Sequence, residues 1–132
     1  LDLVRDLGDM QRLIGDGRTP ILDARPAPRF RGEVPEPRAG LRSGHMPGAL
    51  SVPSSSLVDE NGALKPADEL RKLFADAGAD VTQAAVCTCG SGVTAAIIAL
   101  ALARIGKWDA AIYDGSWAEW GARDDTAIVT GA

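Results

Sequence analysis

Apolar residues at Leu7, Met10, Leu13 and Ile14 recur at the spacing of one helix face, and Gly15 and Gly17 follow them. That pattern predicts a short amphipathic helix near the start of the chain. Pro20 leads into Ile21 and Leu22, an apolar run that stops at Asp23, and a similar run occupies residues 49–52 before Pro53. Both read as short buried strands. Between them, residues 24–48 hold Pro26, Pro28, Pro35, Pro37 and Pro47 with several arginines, which predicts a long ordered loop rather than a regular element. Loops of that length are usually functional. Helical spacing resumes over residues 66–77 at Leu70, Leu73, Phe74 and Ala77, with Asp68 and Glu69 in the first turn and Gly78 after the last. Residues 84–88 form a further apolar run, residues 90–92 a glycine-rich turn, and residues 93–105 a strong helix closed by Gly106. Residues 110–113 supply another strand, and Ser116 is placed to cap a last short helix carrying Trp117 and Trp120. Strands alternating with helices predict an α/β fold whose mainly parallel central sheet is flanked by helices on both faces.

Composition narrows the function. A chain of 132 residues fits one domain, and 45% hydrophobic with 24% charged residues excludes disordered and fibrous architectures. A net charge of -4 argues against nucleic acid as a partner, because a phosphate backbone would be repelled unless a local basic patch intervened. The longest apolar run, residues 93–105, is interrupted by Thr94 and Arg104 and is too short to cross a bilayer, so no membrane partner is expected. The chain begins at Leu1 rather than Met, which leads us to expect a piece of something longer. Cys87 and Cys89 are the only cysteines. A bridge between strand residues so close together would be strained, so a reducing, cytoplasmic compartment is expected.

The chemistry concentrates after the third apolar run. In open α/β sheets, ligands sit beyond the carboxyl ends of the strands, and the segment from Cys87 to Thr94 is predicted there. Cys89 begins the turn, facing the amino terminus of the next helix, where unpaired N–H groups and the helix dipole favour a nucleophilic thiolate. Gly90 and Gly92 allow successive N–H groups to converge into a small anion nest. By residue pattern alone, a buried inert cysteine in a glycine turn remains the commoner outcome. Cys87 and Cys89 with the single histidine, His45, are too few ligands for a closed zinc site, so no metal or other cofactor is expected. Cys87 reads as a buried strand residue, His45 as packed or hydrogen-bonded, and both Trp117 and Trp120 as core.

The string Cys89-Gly90-Ser91-Gly92-Val93-Thr94-Ala95 resembles the active-site loop of the 3-mercaptopyruvate sulfurtransferases, of the rhodanese superfamily. Gly44-His45-Met46-Pro47-Gly48-Ala49 resembles a turn of that family, and Tyr113-Asp114-Gly115-Ser116-Trp117-Ala118-Glu119-Trp120 its carboxyl-terminal signature. Asp23-Ala24-Arg25 and the stretch from Arg29 to Arg38 also match, in the family's order. The resemblance implies that residues 1–132 are a single rhodanese domain akin to the carboxyl-terminal catalytic half of a tandem enzyme, with an upstream rhodanese domain as partner. It implies that Cys89 takes sulfur from a small-molecule donor as a persulfide and passes it to a thiophilic acceptor such as cyanide, a small thiol or thioredoxin, which is covalent catalysis in two half-reactions. It further implies that Arg29 and Arg38 bind the donor's carboxylate, which a guanidinium fork matches. Ser91 would stand beside the sulfur as a catalytic hydroxyl. Gly90, Gly92, Val93 and Thr94 would complete the substrate loop, Thr94 also capping or packing the helix.

Rival functions meet particular residues. Phosphatases of the same fold need an arginine six residues after the cysteine to hold phosphoryl oxygens; that position is Ala95. Thiosulfate-preferring rhodaneses carry basic residues in the loop, whereas Gly90-Ser91-Gly92 is uncharged, so 3-mercaptopyruvate is the expected donor and thiosulfate the second. Non-catalytic rhodanese-like modules that only bind a partner usually lack the cysteine, which is present here.

Overall fold

The computed structural model describes residues 3–90 and 93–132. Strands β1 (Val4–Arg5), β2 (Ile21–Asp23), β3 (Leu50–Ser51), β4 (Val86–Thr88) and β5 (Ala111–Tyr113) form one sheet in the order β1-β5-β4-β2-β3. Every pairing among them is parallel, as the alternation of strands and helices predicts.

Helix α1 (Leu7–Asp16) starts on a reciprocal cap, with Asp6 accepting from the Asp9 N–H and Asp9 from the Asp6 N–H, and stops at Gly17 in the left-handed region. Helices α3 (Ala67–Asp76) and α4 (Ala95–Arg104) fall inside the segments the periodicity marks. The segment 24–48 differs from expectation, because it contains helix α2 (Ala27–Arg31). Pro26 and Pro28 do not prevent it: prolines fit the first helical turn, where their missing N–H groups have no intrahelical partner anyway. Gly32, at φ 75°, ends it. Strand β1 and a 3-10 turn at Ser54–Leu57 carry no sequence periodicity long enough to read. Helix α5 (Ser116–Trp120) is present, but Ser116 lies within it and is not its cap.

Side chains of a strand alternate between faces, and the register Leu22 with Cys87 and Ile21 with Val86 aligns those faces across the sheet. Leu22 and Cys87 enter a core with Leu57, Leu70, Phe74, Ile98 and Leu102, from the 3-10 turn, α3 and α4. Ile21, Val86, Ala111 and Tyr113 enter the opposite core with Met10, Phe30, Trp117 and Trp120, from α1, α2 and α5. Burying a Leu or Phe fully contributes about 1.5–3 kcal/mol, so both faces are needed for a sheet of such short strands. Among the described residues no helix is long and apolar enough to cross a membrane.

The connection after β2 runs outward to β3, while the connection after β4 runs the other way to β5. The chain therefore diverges between the carboxyl ends of β2 and β4, where an open crevice is expected. Ala24 N donates to the Thr88 carbonyl (2.8 Å) and ties the two strand ends together at that point.

Candidate active site

Cys89 is the first residue beyond β4, and its surroundings come from the segment after β5. Trp117 N donates to the Cys89 carbonyl (2.8 Å) and Ala118 N to the Gly90 carbonyl (2.9 Å), so the start of α5 is laid against the loop. Cys89 N donates to Ser116 Oγ (3.2 Å), and the Cys89 Sγ lies 3.8 Å from the same oxygen. Ser116 Oγ in turn donates to the Tyr113 carbonyl (3.0 Å). Ser116 has φ 51°, alone among the described residues other than glycine in having a positive φ. A side chain in that region costs on the order of 1–3 kcal/mol and persists where the surroundings over-determine it. Here the hydroxyl's contacts to Cys89 and Tyr113 do so. Past the loop, α4 begins at Ala95 and presents its amino terminus, the positive end of the helix dipole. Thr94 makes no side-chain capping bond.

A cleft of about 380 Å³ opens at the crevice between β2 and β4, lined by Ala24, Arg25, Arg29, Glu36, Arg38, Ser54, Gly90 and Thr94 among others. The structure thus brings Arg29 and Arg38, distant from the cysteine in sequence, to the same cleft as Gly90 and Thr94. Val93 is not among the lining residues and is 74% exposed. Cys89 itself is buried and is not among the lining residues. Ser91 and Gly92 lie outside the described residues. Arg29 reaches the cleft from α2, its Nε donating to Glu36 Oε2 (3.1 Å) and its Nη2 to Glu36 Oε1 (2.8 Å). Those bonds, outweighing desolvation, raise the arginine's proton affinity above its ordinary value. Arg38 is exposed and has no ion-pair partner among the described residues. Glu33 pairs with Arg31, at 3.1 Å.

Behind the cleft lies a charged cluster that sequence reasoning missed. Arg25 is 1% exposed. Its Nη2 donates to Asp23 Oδ2 (2.8 Å) and to the Gly44 carbonyl (2.7 Å), its Nε donates to Asp23 Oδ1 (3.1 Å), and its guanidinium lies 4.3 Å from the centre of the Trp117 ring. Its Nη1 stands 3.4 Å from Glu36 Oε2. Burying these ions is tolerable only because each is paired and hydrogen-bonded. The signal in the sequence was a charged pair, Asp23 and Arg25, at the end of an apolar strand. Its importance is visible only once Glu36 and Trp117 fold onto it.

The remaining chemically suggestive residues are structural. His45 is buried, stacked on Phe30 with ring centroids 3.7 Å apart, and its Nδ1 donates to the Phe30 carbonyl (2.7 Å). Trp117 and Trp120 are buried in the core, their Nε1 groups donating to the carbonyls of Arg42 and Ala127, each at 2.8 Å. Cys87 points into the apolar core, where burial, with the neighbouring Cys89, pushes its thiol up to about 12. The two cysteines are not joined to each other.

A family model described as a Rhodanese-like domain matches residues 6–123. The 3-mercaptopyruvate sulfurtransferase of Escherichia coli (strain K12) is 53% identical over 108 residues, covering 82% of this chain and 38% of that protein. The mitochondrial thiosulfate/3-mercaptopyruvate sulfurtransferase 1 of Arabidopsis thaliana is 42% identical over 126 residues, covering 96% of this chain and 33% of that protein. The crystal structure of the Tum1 protein from Saccharomyces cerevisiae has a TM-score of 0.86 at 33% identity, covering 96% of this chain and 46% of that one. The chain therefore spans less than half the length of each of these relatives.

Proposed function

The chain belongs to the rhodanese family, and on that premise we propose that it moves sulfur from 3-mercaptopyruvate, through a persulfide on Cys89, to a thiophilic acceptor. The Cys89 thiolate attacks the donor sulfur and the carbon–sulfur bond breaks. The electron pair passes to the enolate of pyruvate, which takes a proton, and Cys89 keeps the sulfur as a persulfide. The acceptor, cyanide or a thiol, then attacks the outer sulfur and releases the Cys89 thiolate. The amino terminus of α4 and the loop N–H groups favour the thiolate, while Arg29 and Arg38 receive the carboxylate. Ser91 and Gly92 would belong to the same loop. The observation that carries this reading is the meeting of Arg29, Arg38 and the Cys89 loop at one cleft. Intact mass after incubation with 3-mercaptopyruvate tests it: the expected result is a gain of one sulfur atom, removed by cyanide, and no gain overturns it.

Thiosulfate is the second donor, favoured by relatives whose names include it. The uncharged Gly90-Ser91-Gly92 loop argues for 3-mercaptopyruvate first, since a dianion would gain most from basic residues there. The length by which relatives exceed this chain accommodates an upstream rhodanese domain that closes the cleft. Donor orientation is sensitive to such walls, and misplacement by about 1 Å can cost a hundredfold. Steady-state turnover of this chain should therefore be lower, relative to its single-turnover sulfur uptake, than in a two-domain form. Equal steady-state rates in the two forms would exclude a role for the upstream domain. Two cysteines outside any disulfide fit a reducing compartment such as the cytoplasm, which fractionation of the source cells would test.

A further inference from the structure

Arg29 packs against the nucleophile loop so closely that a Cβ built on Gly90 would fall 2.8 Å from Arg29 Nη2. Glu36 occupies the Nε and Nη2 side of the guanidinium with two bonds, at 3.1 and 2.8 Å. The edge between Nη1 and Nη2 remains for a ligand. The burial of this pair is unequal: the Glu36 side chain is 0% exposed and that of Arg29 24%. A fully enclosed anion thus grips a cation that reaches the cleft. The anion is itself backed by Arg25, whose Nη1 is buried, has no hydrogen-bond partner and stands 3.4 Å from Glu36 Oε2. Arg25 is tied in place through Asp23 and Gly44.

A buried carboxylate is an unexpected neighbour for an anion-binding arginine, since its charge weakens the attraction of the cleft for any anion. What it supplies is direction, because a guanidinium held along one side by a bidentate partner has its remaining edge fixed. We propose that Glu36 is a positioning residue that turns the Nη1–Nη2 edge of Arg29 toward the Cys89 loop, so that a carboxylate on the sulfur donor is received in one orientation. The inference rests on Arg29 as a carboxylate ligand, and it is independent of which carboxylate donor the protein uses.

Field and direction predict opposite signs, and the test uses that. Cys89 in the full chain is alkylated at fixed pH with iodoacetate, which carries a carboxylate, and with iodoacetamide, which does not, the modified peptide being identified by mass. Both reagents meet the same thiolate, so the ratio of their rates cancels its population. In Glu36→Gln the lost negative charge alone would raise the ratio of iodoacetate to iodoacetamide. Loss of orientation should instead lower it about tenfold, the scale of one charge-assisted hydrogen bond. Glu36→Asp retains the charge on a shorter arm and should also lower the ratio, by less. In both variants the iodoacetamide rate should stay within about threefold of wild type, reporting an intact loop. A ratio that stays level or rises in Glu36→Gln overturns the proposal. So does loss of iodoacetamide reactivity in both variants, which would make Glu36 a residue of the fold alone, or an unreactive Cys89 in the wild type. If 3-mercaptopyruvate does not load Cys89 while the ratio falls, the donor assignment fails and the role of Glu36 stands; loading with an unchanged ratio does the reverse.

Discussion

Cys87 and Cys89 lie on consecutive same-facing positions of one extended segment and are both buried against the same apolar core, yet their polar surroundings differ. Cys87 sits inside β4, paired in register with Leu22 and Ile112, in an apolar core that pushes its thiol up to about 12. Cys89 sits just past the strand's end, its N–H on the Ser116 hydroxyl and its sulfur 3.8 Å from that oxygen, a few residues before the start of α4. Burial as such therefore does not distinguish the proposed nucleophile from its neighbour. The difference on which the proposal rests is that Cys89 has left the sheet, so that its backbone groups bond to Ser116 and Trp117 rather than to a neighbouring strand.

The comparison breaks most directly by exchanging the two sulfurs for oxygens in turn. Cys89→Ser should abolish sulfur uptake from 3-mercaptopyruvate, and Cys87→Ser should leave most of it, both read by intact mass. Retained uptake in the first variant would mean that the strand cysteine is the nucleophile. The next largest effect lies across the cleft. Arg29→Ala or Arg38→Ala should cost about 1.5–3 kcal/mol for a charged hydrogen-bond partner, a tenfold to hundredfold loss of kcat/KM with 3-mercaptopyruvate. Thiosulfate, lacking a carboxylate, should suffer less, and equal losses with both donors would assign the arginine to the fold.

Ser116→Gly sharpens the contrast at its source. Glycine accepts φ 51° without strain, so thermal stability should change little, but Cys89 loses the hydroxyl that holds it and sulfur uptake should slow by about tenfold. An unchanged uptake rate would show that the loop places Cys89 unaided. The smallest effect concerns Cys87 and alkaline stability. Its thiol is raised from 9.0 to about 12 in the fold, so above pH 9 the unfolded chain releases this proton while the native chain keeps it. Stability from this group is accordingly present below pH 9 and lost as pH rises toward 12. Cys87→Ala should flatten that part of the unfolding free energy against pH, measured with urea. An unaltered slope would mean that another group governs alkaline unfolding.

The three ten-residue helices, α1, α3 and α4, were legible to within a few residues, as was the alternation that implies a parallel sheet. Cys89, the proposed nucleophile, stood out by its place between an apolar run and a glycine turn. Helix α2 was not, because a proline-rich five-residue helix has no room for a repeating apolar face and takes its stability from Phe30 stacking on His45. Residue type and local order determine which segments become strands and helices, and where a nucleophile can stand. They do not determine that Arg29 meets Glu36 and Gly90, that Arg25 lies over Trp117, or that Ser116 turns its hydroxyl onto Cys89 rather than capping a helix. Those contacts join strand ends far apart in the chain, and their energies depend on burial and on distances that exist only after the sheet has assembled.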